Sequence, residues 1–117
     1  MSDYLPLYRP GDTLTFAVTA DVVGGTPVDL SGDWAVKPAA ADSTSVVGIA
    51  GHDAGIGDKV TVEVGAAVHE LTASAAVTVG DHLAPAGSGK VKTVTEGGLW
   101  IALASAAANA AVPALKL

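Results

Sequence analysis

Apolar and polar positions alternate over most of the chain, with a period of two. Leu14, Phe16 and Val18 fall on one side of a run from Thr13 to Asp21, with Thr13, Thr15 and Ala17 on the other. Side chains alternate between faces along a strand, so the run predicts a half-buried β-strand. Gly24-Gly25 breaks it. Short strands follow at Val28–Leu30 and Trp34–Lys37, around the turn Ser31-Gly32-Asp33. Residues 38–45 have loop composition. Val46–Ala50 is continuously apolar and predicts a buried strand, and 51–59 is a glycine- and aspartate-rich connection. Val60, Val62 and Val64 alternate with Thr61 and Glu63 as the clearest strand of the chain.

The second half repeats this order. Phe16-Ala-Val-Thr-Ala20 echoes His69-Glu-Leu-Thr-Ala73, and Gly25-Thr-Pro-Val28 echoes Gly80-Asp-His-Leu83. Gly32 and Val36 correspond to Gly87 and Val91, and Val47-Gly-Ile-Ala50 echoes Ile101-Ala-Leu-Ala104. Val60–Val64 and Val112–Leu117 close the halves, about 13–64 and 65–117. The expectation is an all-β domain over 13–117, two degenerate β-meander repeats packing into one small barrel. The alanine-rich stretch 105–111 has helical propensity, but its counterpart is the 51–59 connection, so it is expected to be a loop.

Residues 1–12 break the pattern and are expected to form an extended N-terminal arm. Tyr4, Leu5, Leu7, Tyr8 and Arg9 lie between and beside Pro6 and Pro10, which remove backbone donors and disfavour helix. Two readings stay open: a strand that completes its own barrel, or an arm that docks on a partner. The presence of both tyrosines of the chain supports contact, since tyrosine is enriched at interfaces.

Composition adds a size argument. Of 117 residues, 23 are Ala, 16 Val and 14 Gly, and aromatics are 4%. Each Ala in place of a buried Val forgoes about 1.6 kcal/mol, at roughly 0.8 per carbon. The core is thin for one domain, which hints that contacts between copies add burial. A net charge of −6 opposes a surface built for nucleic acid or anionic lipid, and neither partner is expected. With no cysteine there are no disulfides or thiolate metal sites. No secretory signal or membrane span is expected: the start lacks a basic region, and Leu99–Leu115 is short and interrupted by Ser105, Asn109 and Pro113.

Candidate chemistry is sparse. Gly87-Ser88-Gly89-Lys90 lacks the first glycine and the hydroxyl of a phosphate loop, because Ala84 and Val91 stand there, so it is expected to be a hairpin turn. His52, His69 and His82 are widely spaced, and the nine aspartates, four of them directly beside a glycine, read mostly as turn residues. No catalytic, metal or cofactor constellation is present, and no enzyme is expected. Trp100 precedes an apolar strand and is expected in the core. Trp34 stands at a hairpin edge, where it could contact a subunit or partner, or stack on a sugar as in a carbohydrate-binding module.

Several segments in order, Asp3-Tyr-Leu-Pro-Leu-Tyr-Arg-Pro-Gly11, Ser31-Gly-Asp33, Val46-Val-Gly-Ile-Ala50, Gly57-Asp-Lys-Val-Thr-Val62, Leu71-Thr-Ala-Ser-Ala75, Val79-Gly-Asp81 and Ile101-Ala-Leu-Ala104, resemble the small capsid decoration proteins of tailed bacteriophages, of the actinobacterial-phage type. Trp34 and Trp100 stand where small residues are more usual in that family. The resemblance implies a β-barrel or β-tulip subunit that forms homotrimers. It implies a place on the outside of the virion, on the expanded icosahedral head at three-fold and quasi-three-fold sites, where the trimer contacts the major capsid protein and stabilises the shell. On that reading Tyr4, Leu5, Leu7, Tyr8 and Arg9 of the arm are the expected capsid contacts, and no cofactor is expected.

Overall fold

The computed structural model describes residues 13–117. Ten strands and no helix make up this region: β1 (Thr13–Val18), β2 (Pro27–Gly32), β3 (Ala35–Pro38), β4 (Val46–Ala50), β5 (Lys59–Glu63), β6 (Val68–Ala73), β7 (His82–Gly87), β8 (Lys90–Val94), β9 (Trp100–Ala102) and β10 (Ala111–Lys116). The all-β, two-repeat architecture read from the alternation is observed, and the alanine-rich 105–111 segment is a loop.

Closure happens within each half. β1-β3-β2-β4-β5 form one closed barrel (barrel 1) and β10-β6-β8-β7-β9 another (barrel 2), in place of one barrel shared by both halves. Neither is a simple meander, because β1 runs parallel to β3 and β6 parallel to β8. Closure leaves no open sheet edge to attract another chain. Inward positions of each barrel fill a separate core: Phe16, Val18, Val28, Val36, Val60 and Val62 in barrel 1, and Leu71, Leu83, Val91, Trp100 and Val112 in barrel 2.

Matching registers fix the correspondence between halves. Phe16 pairs with Val60 as Leu71 pairs with Val112, and Val18 with Val36 as Ala73 with Val91. Val28 pairs with Gly48 as Leu83 pairs with Trp100. Even the isolated bridge Val22–Ala54 has its counterpart in Val77–Ala106. The expected echoes around His69 and Ile101 are each displaced. Leu71 matches Phe16, and Ile101 matches Ile49.

The barrels meet through β4, through the strap formed by the β3–β4 connection, and at Thr26, which lies against Gly89 of the β7–β8 turn. Buried Ile49 faces out of barrel 1 and joins the core cluster of barrel 2, with Val46 packed beside it. The connection after β3 reaches the β7–β8 hairpin. The Asp42 N–H donates to the Pro85 carbonyl at 3.0 Å, and the Asp42 carboxylate pairs with Lys92 at 2.9 Å. Asp29 tethers the strap from below: it is 3% exposed, and its Oδ2 accepts the Ala40 N–H at 3.1 Å. Its counterpart is Ala84, on a repeat whose β8–β9 connection is shorter.

Candidate docking surfaces on the two barrels

The β2–β3 hairpin carries the surface around Trp34. Strand β3 begins at Ala35, so Trp34 lies in the turn, where the Ala17 N–H donates to its carbonyl at 2.8 Å. Its φ is +52°, in the left-handed region that bulky side chains rarely adopt. The counterpart is Gly89, with φ +75°. The indole stacks at a tilt on Phe16, centroids 5.7 Å apart, and remains 51% exposed. Leu14, Phe16, Leu30, Asp33, Trp34 and Val47 line an open groove of about 570 Å³ at this end of barrel 1. Exposed Leu30 and Lys37 flank it on β2 and β3.

A second apolar surface covers the outside of barrel 2. Leu115 pairs with Val68 on one side and Ile101 on the other, so the three stand in one row across β6, β10 and β9. Their neighbours Ala114, Trp100 and Ala102 point inward and are buried, which puts the row on the outer face. Val68, Leu115, Leu103 and Leu117 are exposed. The sequence signal was available: Pro113, Leu115 and Leu117 are apolar where the counterpart strand has Thr61, Glu63 and Gly65, so both faces of β10 are apolar.

The remaining candidates resolve into structure. Trp100 is fully buried. Gly87–Lys90 is the β7–β8 hairpin, with positive φ at Gly87, Ser88 and Gly89. The aspartates cap turns: Asp53 accepts the Gly24 N–H, Asp21 that of Ile56, and Asp81 that of Thr78. His52 bridges the Asp53 carbonyl and the Thr61 N–H through its two ring nitrogens. Among the described residues no three His, Asp or Glu side chains converge on a metal position. Tyr4, Leu5, Leu7, Tyr8 and Arg9 lie outside the described residues.

Two closed barrels, turn-bound acids and exposed apolar faces define a structural module that acts by contact. The chain belongs to the phage cement proteins, whose family model matches residues 8–117. It is a non-enzymatic structural protein of the phage capsid, located on the outer surface of the head. The fold is similar to the head fiber gp8.5 N base of bacteriophage phi29, with a TM-score of 0.73 at 19% identity over 90% of this chain and 92% of that one. No curated protein matches the chain.

Proposed function

We propose that the protein clamps the expanded icosahedral head as a homotrimer, seated at three-fold and quasi-three-fold junctions of the major capsid protein. The observation that carries this reading is the match to the cement family over residues 8–117. Tyr4, Leu5 and Tyr8 of the arm bury apolar area against the capsid, Leu7 packs with them, and Arg9 pairs with a capsid carboxylate. Three arms per trimer act together, so each contact is weak alone and the sum is firm. The chain has one domain unit after the arm, 13–117, in which the strap holds both barrels as a rigid head-group.

The composition agrees with this role. Among the described residues the two core clusters hold eight and ten buried side chains, most of them Val or Ala, and association between copies adds burial that small barrels lack. Negative net charge opposes adhesion between virions. The test is a variant lacking residues 1–10. It should fold, retain its oligomeric state and fail to bind heads. Undiminished head binding by that variant would refute the arm's role. Heads carrying the intact protein should retain DNA at temperatures where bare heads release it, and equal release would refute stabilisation.

A further inference from the structure

The two barrels carry different outer faces at one corresponding place. In barrel 1 the outward row across β1, β5, β4 and β2 is Thr13–Glu63–Ile49–Pro27. Ile49 and Pro27 are buried, and Ile49 packs into the core cluster of barrel 2. The other end of the row, Thr13 and Glu63, is polar. The matching row in barrel 2 is Val68–Leu115–Ile101–His82. Val68 and Leu115 stand at the positions of Thr13 and Glu63, and they are 57% and 36% exposed. Leu103 lies beside Pro113, whose carbonyl accepts its N–H at 2.8 Å, and Leu117 lies beside Leu99 through a 2.9 Å bond of the same kind. Val68, Leu103, Leu115 and Leu117 are four of the nine large apolar side chains exposed among the described residues, and all lie on or beside β6, β9 and β10.

Charge separates the barrels as well. Residues 13–64 hold seven acids against two lysines, whereas residues 65–117 hold three of each. Asp21, Asp53 and Asp58 gather at loops of barrel 1.

We infer that three copies turn the Val68–Leu115–Ile101 face of barrel 2 to a common three-fold axis, with their acidic first barrels held apart at the periphery. This rests on the homotrimer reading above and names its interface. The occupant of the face is another copy of this chain, on two grounds. In barrel 1 the corresponding face already seats on a barrel of the same fold, through Ile49. Contact between identical chains also brings identical charges together, and only the neutral barrel approaches itself without repulsion. Charged residues are depleted from the centres of interfaces, as they are from this row. Glu70, exposed on β6 opposite Pro113, borders the row at the polar rim. Around a three-fold axis the β6 edge of one copy meets the β9 edge of the next, so the contact is heterologous and closes as a ring. The apolar area buried there adds to what the small cores supply.

Sedimentation equilibrium of the full chain, with folding checked by circular dichroism, tests the assignment. Leu115→Asp and Val68→Asp should each lower self-affinity about tenfold or more. Ile56→Asp, at a 71% exposed apolar position on barrel 1, should leave it unchanged. The chain has no cysteine, so an introduced one reports a single position. A short bis-maleimide should join Leu115→Cys chains in pairs, in solution and on heads, and should leave Ile56→Cys chains unjoined. If wild type is trimeric and the folded aspartate variants are equally trimeric, or Leu115→Cys chains stay unjoined within trimers, this interface is wrong and the trimer reading stands. Trimeric aspartate variants that no longer bind heads would put the capsid, not another copy, on this face. A wild type that is monomeric both in solution and on heads would remove the trimer reading itself.

Discussion

Barrel 1 and barrel 2 share strand order and register, yet they fill the same frame in opposite ways. At one inward position barrel 2 has fully buried Trp100 and barrel 1 has Gly48. A Cβ on Gly48 would lie 2.9 Å from the Val62 side chain and would collide with the Glu63 carbonyl. Barrel 1 gains bulk elsewhere: Phe16 stands where barrel 2 has Leu71, and Val62 where it has Ala114. The same exchange runs on the outside, where Trp34 in barrel 1 corresponds to Gly89 in barrel 2. One frame therefore tolerates a tryptophan inside or outside, provided neighbouring volumes compensate. Each repeat carries one tryptophan, buried in barrel 2 and half exposed against Phe16 in barrel 1.

The sharpest way to break the comparison is to move the bulk. Trp100→Ala should destabilise by about 3–5 kcal/mol, the range for truncating a large buried aromatic, measured by urea unfolding. Gly48→Ala should also destabilise, by about 1–3 kcal/mol or more, because backbone rather than a flexible side chain stands in the way. Restoration of either barrel's stability by these changes would contradict the packing described.

The strap offers a smaller effect. Asp29→Ala removes the acceptor of the Ala40 N–H and should cost about 1–3 kcal/mol, with faster hydrogen exchange at Ala40. Asp29→Asn should be milder, since Oδ1 of Asp29 has no hydrogen-bond partner among the described residues. Unchanged exchange at Ala40 in the alanine variant would mean that Asp29 does not anchor the strap and that the Asp42 contacts with Pro85 and Lys92 hold it.

Trp34→Gly should change stability by less than about 1.5 kcal/mol, because relief of the left-handed backbone, roughly 1–2 kcal/mol, offsets the lost stacking on Phe16, roughly 0.5–1.5. Asp42→Ala removes a pair whose side chains are 36% and 67% exposed, and should cost no more than about 1 kcal/mol. The two tryptophans also report on the barrels separately. With Ile49 of one barrel seated in the core of the other, Trp34→Phe and Trp100→Phe variants should show coincident unfolding midpoints within each variant by fluorescence and circular dichroism. Separate midpoints would show that the barrels unfold independently.

The sequence displayed strand positions well and partners poorly, for a physical reason. Alternation at Thr13–Val18 or Lys59–Glu63 fixes which face is inward, and it says nothing about which strand lies alongside. The same strands satisfy one shared barrel or two separate ones. The two misplaced echoes show this most clearly. Setting Phe16 beside His69 in place of Leu71, or Ile49 beside Leu103 in place of Ile101, slips the register by an even number of residues. An even slip keeps every side chain on its face, so hydrophobic pattern cannot detect it. Trp34 was legible as a partly exposed residue because it follows a turn signal. The Val68–Leu115–Ile101 row comes from strands distant in sequence and becomes visible only once β6, β9 and β10 are aligned. Asp29 was hidden because nothing in Val28-Asp29-Leu30 distinguishes a buried strap anchor from an exposed strand residue.

The central claim is that this is a cement protein acting on the outside of an expanded phage head. The most direct measurement is co-sedimentation of the purified protein with expanded heads of the parent phage that lack it. The account predicts saturable binding, with a stoichiometry of three chains for each three-fold and quasi-three-fold site. Folded protein that leaves such heads bare, at concentrations well above those in an infected cell, would contradict it.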